Sequence, residues 1–260
     1  MNHKVPIQVD GRFRLGHVVG SGSYAVVYHA RNIIKDDAVA IKLELITNQS
    51  SSLQHEYAIL KRLEGGIRIP RALWFGRESA YHALVLDLLG PSLHDLFLSH
   101  NQKFSLHTVV NLGDQLVSCD IKLQNVLVGL SHLKHTAFII DFGVTKEYWD
   151  TATKNQHLTG TPAFTLINNH LGVDLGRRDD LELLTYMLIY LLCGSLPWLT
   201  SDHEKLSSCS ILKWKVNTTI EVLCDGIPVE FASILIYTCS LAFSEDPDYG
   251  HLRSLLHGLR

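Results

Sequence analysis

Four short stretches of this chain carry the residue types that phosphoryl transfer from a nucleotide requires. The first is the glycine-rich run Gly20-Ser-Gly22-Ser-Tyr-Ala-Val-Val-Tyr28, and the second is Val-Ala-Ile-Lys42. The third and fourth are Asp120-Ile-Lys-Leu-Gln-Asn125 and Asp141-Phe-Gly143. Such a reaction needs backbone amides over the phosphates, a cation beside them, carboxylate and amide ligands for Mg²⁺ and a base near the incoming hydroxyl. The order of the four stretches therefore predicts this chemistry.

The first two stretches are predicted to hold the phosphates. Glycines at positions 20 and 22 would let the backbone approach a phosphate without an intervening side chain. Lys42, which we expect at the end of a strand, would pair with the first two phosphates, and Glu56 on the following helix would aim its ammonium group. A strand-end lysine and a helix-face carboxylate are ordinary surface features when they occur alone. Their occurrence in this order favours the functional interpretation.

The last two stretches are predicted to carry the catalytic and metal-binding groups. Asp120 would orient the substrate hydroxyl and accept its proton, and Lys122 would steady the transferred phosphoryl group. Asn125 and Asp141 are the predicted Mg²⁺ ligands. An isolated Asp-Phe-Gly occurs often by chance, but here it follows Asp-x-Lys-x-x-Asn and two short predicted strands. The combination indicates a site for ATP and Mg²⁺.

An apolar slot for the adenine ring is predicted from residues around these motifs, which could equally be core residues. Together with Lys42, the residues predicted to contact the nucleotide are Val19, Gly20, Ser21, Gly22, Ser23, Val27, Ala40, Leu86, Asp87, Leu89, Leu127 and Ile140.

The elements that must position these residues change character along the chain. Apolar and polar residues alternate around turn signals from residue 13 to residue 45, which is typical of an antiparallel sheet. A helix is predicted over 53–63, strands over 72–75 and 83–88, and a hinge at 89–91. Further along, a strand pair is predicted over 126–128 and 137–140, with helices over 92–99, 105–118, 181–192, 211–216, 229–241 and 249–259. This pattern predicts one α+β domain over 1–260, with two lobes: a small β-rich lobe at about 11–88 and a larger helical lobe at about 91–260.

The composition is that of a globular domain and excludes several other classes. The chain has 260 residues, of which 46% are hydrophobic and 19% charged, and its net charge of −3 does not favour nucleic-acid binding. The most apolar helical segment, 181–193, is shorter than the roughly 20 residues that a membrane span needs. The opening residues lack the apolar core of a signal peptide, and five dispersed cysteines favour reduced thiols. We expect a monomer in the cytoplasm or nucleus.

Several longer strings resemble the casein kinase 1 family of serine/threonine protein kinases, and the string Leu86-Asp-Leu-Leu-Gly90 is similar to the alpha type. The resemblance extends over about 11–259. It implies a bilobal kinase fold, use of ATP and Mg²⁺, and phosphorylation of protein substrates with acidic or already phosphorylated segments in the cytoplasm and nucleus. The other strings that carry it are Leu88-Leu-Gly-Pro-Ser-Leu-His-Asp-Leu-Phe97, Gly65-Gly-Ile-Arg-Ile-Pro70, Leu158-Thr-Gly-Thr161, His170-Leu-Gly172, Arg177-Arg-Asp-Asp-Leu-Glu182, Gly194-Ser-Leu-Pro-Trp198 and Ile220-Glu-Val-Leu-Cys224.

The chain also departs from the family pattern in the segment that leads into the catalytic loop. Part of that pattern is absent between Gln115 and Asp120, including the His-Arg pair that normally precedes the catalytic aspartate. The segment after Gly143 is shorter than in the family, and the basic stretch after Trp198 is replaced by 201–209. Three interpretations stay open: an active kinase, a pseudokinase that binds nucleotide or protein without catalysis, and a degenerate copy that folds poorly because a core helix is truncated.

Overall fold

The computed structural model describes residues 4–22, 24–47, 50–117, 125–143, 166–171, 173, 175–199 and 208–260. The chain divides into two compact units. The first unit contains Met1–Pro91 and Asn125–Glu147, and the second contains Ser92–Gln124 and Tyr148–Arg260. The first unit is therefore built from two separate stretches of sequence.

An antiparallel sheet of six strands dominates the first unit, in the order β1-β2-β3-β4-β6-β5. Its strands are β1 (Gln8–Val9), β2 (Phe13–Ser21), β3 (Val26–Asn32), β4 (Ala38–Leu45), β5 (Ala72–Glu78) and β6 (Tyr81–Asp87). A second, two-stranded sheet pairs β7 (Val126–Val128) with β8 (Ala137–Ile139), and a 3-10 helix over Ser131–Leu133 lies between them in sequence. The strand pair predicted in this region is confirmed.

Strand β4 lies inside the large sheet and is buried on both faces. Val39, Ile41 and Leu43 point into the apolar core of the unit, which also contains Phe13 and Val85. The opposite face of β4 carries charged side chains that are also buried. The prediction that Lys42 ends a strand is wrong, since β4 continues to Leu45. The strand can continue because the charged groups on this face have partners on the next helix.

That helix, α1 (Ser52–Arg62), begins and ends on local signals. The side chain of Ser51 accepts a hydrogen bond from the Gln54 amide at 3.1 Å, which caps the first turn. Its buried residues are Leu53, Glu56 and Leu60, which recur at helical spacing and define one face. A carboxylate therefore lies between two leucines on the buried face of α1.

The second unit is helical in its described part. Its helices are α2 (Leu93–Ser99), α3 (Leu106–Leu116), α4 (Ile167–His170), α5 (Arg177–Cys193), α6 (Ser208–Asn217), α7 (Ile220–Leu223), α8 (Val229–Ser240) and α9 (Tyr249–His257). Helix α5 is buried around most of its circumference and packs against α3 and α8. Gly113 lets α3 approach closely, because a Cβ there would lie 2.9 Å from Leu188 and 3.0 Å from Leu256. Among the described helices, none is both long and apolar enough to cross a membrane.

The α+β class predicted from the sequence is confirmed, with strands concentrated in the N-terminal part and helices in the C-terminal part. The six longer helices predicted after the hinge are present with shifted ends. Helix α5 begins four residues earlier than predicted, because Asp179 accepts the Gly176 amide at 2.8 Å and caps a charged first turn. Four short elements, β1, α4, α7 and the 3-10 helix, were not predicted, since two to four residues show no periodicity.

Candidate functional site

A buried ion pair joins β4 to α1 in the first unit. The Lys42 ammonium donates to both carboxylate oxygens of Glu56, at 2.7 and 2.9 Å. Lys42 is 8% exposed and Glu56 is 2% exposed. Two charges removed from water this far must satisfy each other, since an unpaired buried charge costs several kcal/mol, roughly 3–5 when one partner is removed. The pair therefore fixes the Lys42 amine at a defined position beside the sheet.

A second carboxylate lies near the same amine. Asp141 Oδ1 is 3.8 Å from Lys42 Nζ, and the Asp141 side chain is 52% exposed. Its backbone has a φ of +70°, in the left-handed region that non-glycine residues rarely adopt. Such strain concentrates at functional sites when the surroundings hold it in place. Phe142, the next residue, is buried and supplies such an anchor.

The glycine-rich stretch forms the β2–β3 hairpin. Gly20 pairs with Val27, Ser21 pairs with Val26, and the Gly22 amide donates to the Ala25 carbonyl at 2.9 Å. Neither glycine has a left-handed φ, and an added Cβ would meet nothing nearer than 3.9 Å at position 20 or 3.8 Å at position 22. The protein itself therefore leaves room for side chains at both positions. Their absence keeps the hairpin backbone open to a ligand.

The apolar residues predicted around the nucleotide all belong to the first unit. Ala40 pairs with Leu86 across β4 and β6, and Val27 pairs with Lys42 across β3 and β4. Leu86 is buried, whereas Val19 is half exposed. The remaining members are Leu89, which follows β6, Leu127 on β7, and Ile140, which follows β8.

The segment after β6 is tied to β7 by backbone hydrogen bonds. The Gly90 amide donates to Val128 at 2.8 Å, and the Val128 amide donates to Pro91 at 3.1 Å. Asp87, one of the predicted nucleotide contacts, uses its carboxylate to bind the Arg71 guanidinium and amide at 2.8–3.1 Å. This hydrogen bond and the charge of Asp87 raise the pKa of Arg71. The side chain of Asp87 is thus engaged, and its backbone amide also donates to the Arg71 carbonyl, at 3.2 Å.

The oxygen donors at this site fit Mg²⁺ held together with a nucleotide. Asn125 immediately precedes β7, and its carbonyl accepts the Ile140 amide at 2.8 Å, which brings it beside the strand that leads to Asp141. Within the described ranges, no three His, Cys, Asp or Glu side chains cluster as a metal cage would require. Mg²⁺ commonly binds through one or two carboxylates, water and phosphates instead. One carboxylate and one amide satisfy that pattern.

A comparison with protein families agrees with this arrangement. Residues 13–225 match the family model described as Protein kinase domain, which is well over half of the chain. The chain belongs to the protein kinase domain family. The match includes all four of the stretches that were singled out in the sequence.

Not every predicted site residue of this kinase domain can be placed. Lys42, Glu56, Asn125 and Asp141 all belong to the first unit, and the contacts above bring Asp141 to the Lys42–Glu56 pair. Ser23, Asp120 and Lys122 lie outside the described residues. Their assignments stay predictions.

Sequence reasoning did not single out Glu44. This buried carboxylate on β4 accepts hydrogen bonds from the residues that start α1. A charged residue two positions beyond a strand lysine is common on solvated strand faces, so its burial has no signature in the sequence. Its partners lie in a polar serine run, which indicates a helix start without indicating which acceptor it contacts.

Proposed function

We propose that this kinase domain is a serine/threonine protein kinase of casein kinase 1 type, which transfers the γ-phosphate of ATP to acidic or already phosphorylated protein substrates. The observation that carries the proposal is the formed Lys42–Glu56 pair with the Asp141 carboxylate 3.8 Å from the same amine. In protein kinases this lysine–glutamate pair and the aspartate of Asp-Phe-Gly must both be in place for phosphoryl transfer.

Different parts of the first unit would contact different parts of the nucleotide. The Lys42 ammonium, aimed by Glu56, would neutralise charge on the first two phosphates, and the open backbone at Gly20 and Gly22 would approach them from the hairpin. The apolar residues around Ala40 and Leu86 would exclude water from the adenine ring. Because these groups are held by packing, binding would need little rearrangement of the protein.

Asn125 and Asp141 are the residues that would hold Mg²⁺. The metal would supply positive charge to the phosphate oxygens when it is bound with ATP. The exposed face of Asp141 leaves its carboxylate available for this role. Asp120 would orient the substrate hydroxyl and accept its proton, and Lys122 would steady the group in transfer.

The substrate class and setting in this proposal rest on the resemblance to casein kinase 1. They are protein segments with acidic or phosphorylated side chains, met by a monomeric kinase in the cytoplasm or nucleus. The proposal treats residues 1–260 as one catalytic domain.

A second candidate function is that of a pseudokinase, which binds nucleotide or a partner protein without transferring phosphate. The observation that favours it is the early end of α3, which stops at Leu116 with Val117 as its C-terminal cap. Asp120 follows Val117 by only three residues in the sequence, and the His-Arg of the family pattern is absent before it. A misplacement of about 1 Å at such a site can lower the rate by about a hundredfold.

Transfer of labelled phosphate from ATP to casein separates the two candidates. We expect transfer by the wild type and its loss in Asp141→Asn. The matched control is Asp36→Asn, an exposed aspartate of the same unit that also has a positive φ, of 60°. Equal transfer by Asp141→Asn would contradict the kinase proposal.

Thermal unfolding with and without MgATP completes the comparison. Stabilisation by nucleotide without transfer would establish the pseudokinase, because a ligand that binds the folded state raises the melting temperature. A chain that lacks a cooperative melt would instead support the degenerate copy.

A further inference from the structure

Glu44 is the other buried charge on the face of β4 that carries Lys42. It is 9% exposed and lies two residues beyond Lys42, so both side chains project from the same face of the strand. Its carboxylate accepts the Ser52 amide at 2.9 Å, the Ser52 hydroxyl at 2.6 Å and the Leu53 amide at 3.4 Å, and it also accepts the Ser51 hydroxyl. One carboxylate therefore collects donors from the first turn of α1.

These donors keep the carboxylate charged. Burial would raise the pKa of Glu44, but hydrogen bonds from the two serine hydroxyls and from the amides of Ser52 and Leu53 outweigh it and lower the pKa below its usual value. The first amides of a helix have no partner within the helix, and the helix dipole favours a negative charge at that end. Glu44 meets both requirements from outside the helix.

The contact between Glu44 and α1 joins the same strand and helix as the Lys42–Glu56 pair. Lys42 and Glu44 both lie on β4. The partners of Glu44 lie at the start of α1, and the partner of Lys42 is Glu56, one turn further along the helix. Four helical residues span about 6 Å, so the two contacts fix α1 against β4 at two neighbouring points. Removing the Glu44 contact would allow α1 to rotate about the Lys42–Glu56 contact.

The start of α1 also borders the Asp-Phe-Gly stretch. A Cβ added to Gly143 would lie 3.8 Å from both the Cβ and the carbonyl oxygen of Ser52. Gly143, two residues after Asp141, therefore lies close to this turn.

We propose that Glu44 is a positioning residue of the nucleotide site, whose carboxylate holds the first turn of α1 so that Glu56 meets Lys42. The proposal rests on the proposed function in one respect, that Lys42 binds phosphate. Glu44 itself touches neither the nucleotide nor the substrate in this proposal; it acts through α1.

The first test measures the geometry without any nucleotide. In Glu44→Gln we expect Lys42 to be acetylated by an amine-reactive reagent about tenfold faster than in the wild type, a factor that corresponds to ~1.4 kcal/mol. Amides of residues 52–62 should exchange faster as well. The control is Glu78→Gln, the same substitution on β5 of the same unit, where the carboxylate also accepts a backbone amide, from Asp10 at 3.0 Å. Wild-type labelling and exchange in Glu44→Gln would overturn the proposal.

The second test asks whether Glu44 acts through Glu56. MgATP affinity is measured for the wild type, Glu44→Gln, Glu56→Gln and the double variant. If Glu44 only positions Glu56, the single change at 44 weakens binding about tenfold and adds little once Glu56 is gone. Effects that multiply fully in the double variant would indicate a general structural role and overturn the proposal. If the wild type binds no MgATP, the proposed function fails, while the labelling result still decides the role of Glu44.

Discussion

Because the Lys42–Glu56 pair is buried, we predict a large loss of stability when either charge is removed. Glu56→Leu leaves the ammonium without its partner, and Lys42→Met leaves a carboxylate that is 2% exposed. Breaking a buried pair by removing one partner costs ~3–5 kcal/mol. Because Asp141 lies 3.8 Å from Lys42, it can take over part of the interaction in Glu56→Leu. We therefore expect ~3 kcal/mol for Glu56→Leu and a larger loss, toward ~5 kcal/mol, for Lys42→Met.

The double variant Lys42→Met, Glu56→Leu removes both charges together. No ion is then left buried without a partner, and two apolar side chains of similar volume occupy the space, so we expect the double variant to be more stable than either single variant. The difference in stability loss between the two single variants measures the contribution of Asp141. It should disappear when Asp141→Asn is added to both.

The assay is thermal unfolding without nucleotide, supported by hydrogen exchange at α1 because the two units need not unfold together. A loss of ~3 kcal/mol corresponds to a fall in melting temperature of about 6–12 °C at ~2–4 °C per kcal/mol. Single-variant losses that simply add in the double variant would refute the reasoning, because they would mean that the two charges do not stabilise each other.

Two further predictions concern the second unit. Lys215 lies over the rings of Trp198 and Tyr186, at 5.1 and 5.9 Å, and burial lowers its pKa to about 8. In the unfolded chain this lysine keeps its proton to about pH 10.4, so it makes the free energy of unfolding rise with pH above 8. The stability advantage of Lys215→Met over the wild type in urea unfolding should therefore shrink by ~2 kcal/mol between pH 7.5 and 9.5. A constant difference would contradict this. Gly194→Ala should cost more than Gly226→Ala in the same assay, because both have a positive φ but only a Cβ at 194 meets an atom within 4 Å, a carbonyl oxygen at 2.7 Å. Equal losses, each of ~1–2 kcal/mol, would mean that the carbonyl moves aside at little cost.

Helix α1 illustrates what the sequence could predict about the fold. The sequence predicts this helix over 53–63, and its observed N-terminal cap is Ser51. Leucines at 53 and 60 recur at helical spacing, and the two glycines after 64 end the pattern. Local propensity and burial agree here, so the prediction differs from the structure by only one residue at each end.

Strand β4 illustrates what could not be predicted. The sequence predicts Lys42 at the end of a strand, whereas β4 continues to Leu45. In the structure both Lys42 and Glu44 are buried, because α1 supplies a carboxylate for one and hydrogen-bond donors for the other. Pairing across elements that are distant in sequence has no periodic signal, so burial of a charge was the least predictable property.

In the candidate site, too, some residues could be selected from the sequence and others could not. The order of motifs was sufficient to select Lys42, Glu56 and Asp141, and the structure brings these three together. It was not sufficient to reveal Glu44, whose contribution depends on the position of a helix start. Likewise, sequence reasoning did not single out Asp179, which is fully buried and accepts the Asn168 side-chain amide at 2.7 Å.

The discontinuity of the first unit has a consequence for the order in which the site can form during synthesis. Residues 1–91 contain the six-stranded sheet, α1 and the Lys42–Glu56 pair, whereas Asn125 and Asp141 belong to the stretch that returns after residues 92–124. At ~5–20 residues per second, roughly 3–10 s separate the synthesis of residue 91 from that of residue 141. The groups proposed to bind phosphate can therefore assemble on the ribosome before the groups proposed to bind metal exist.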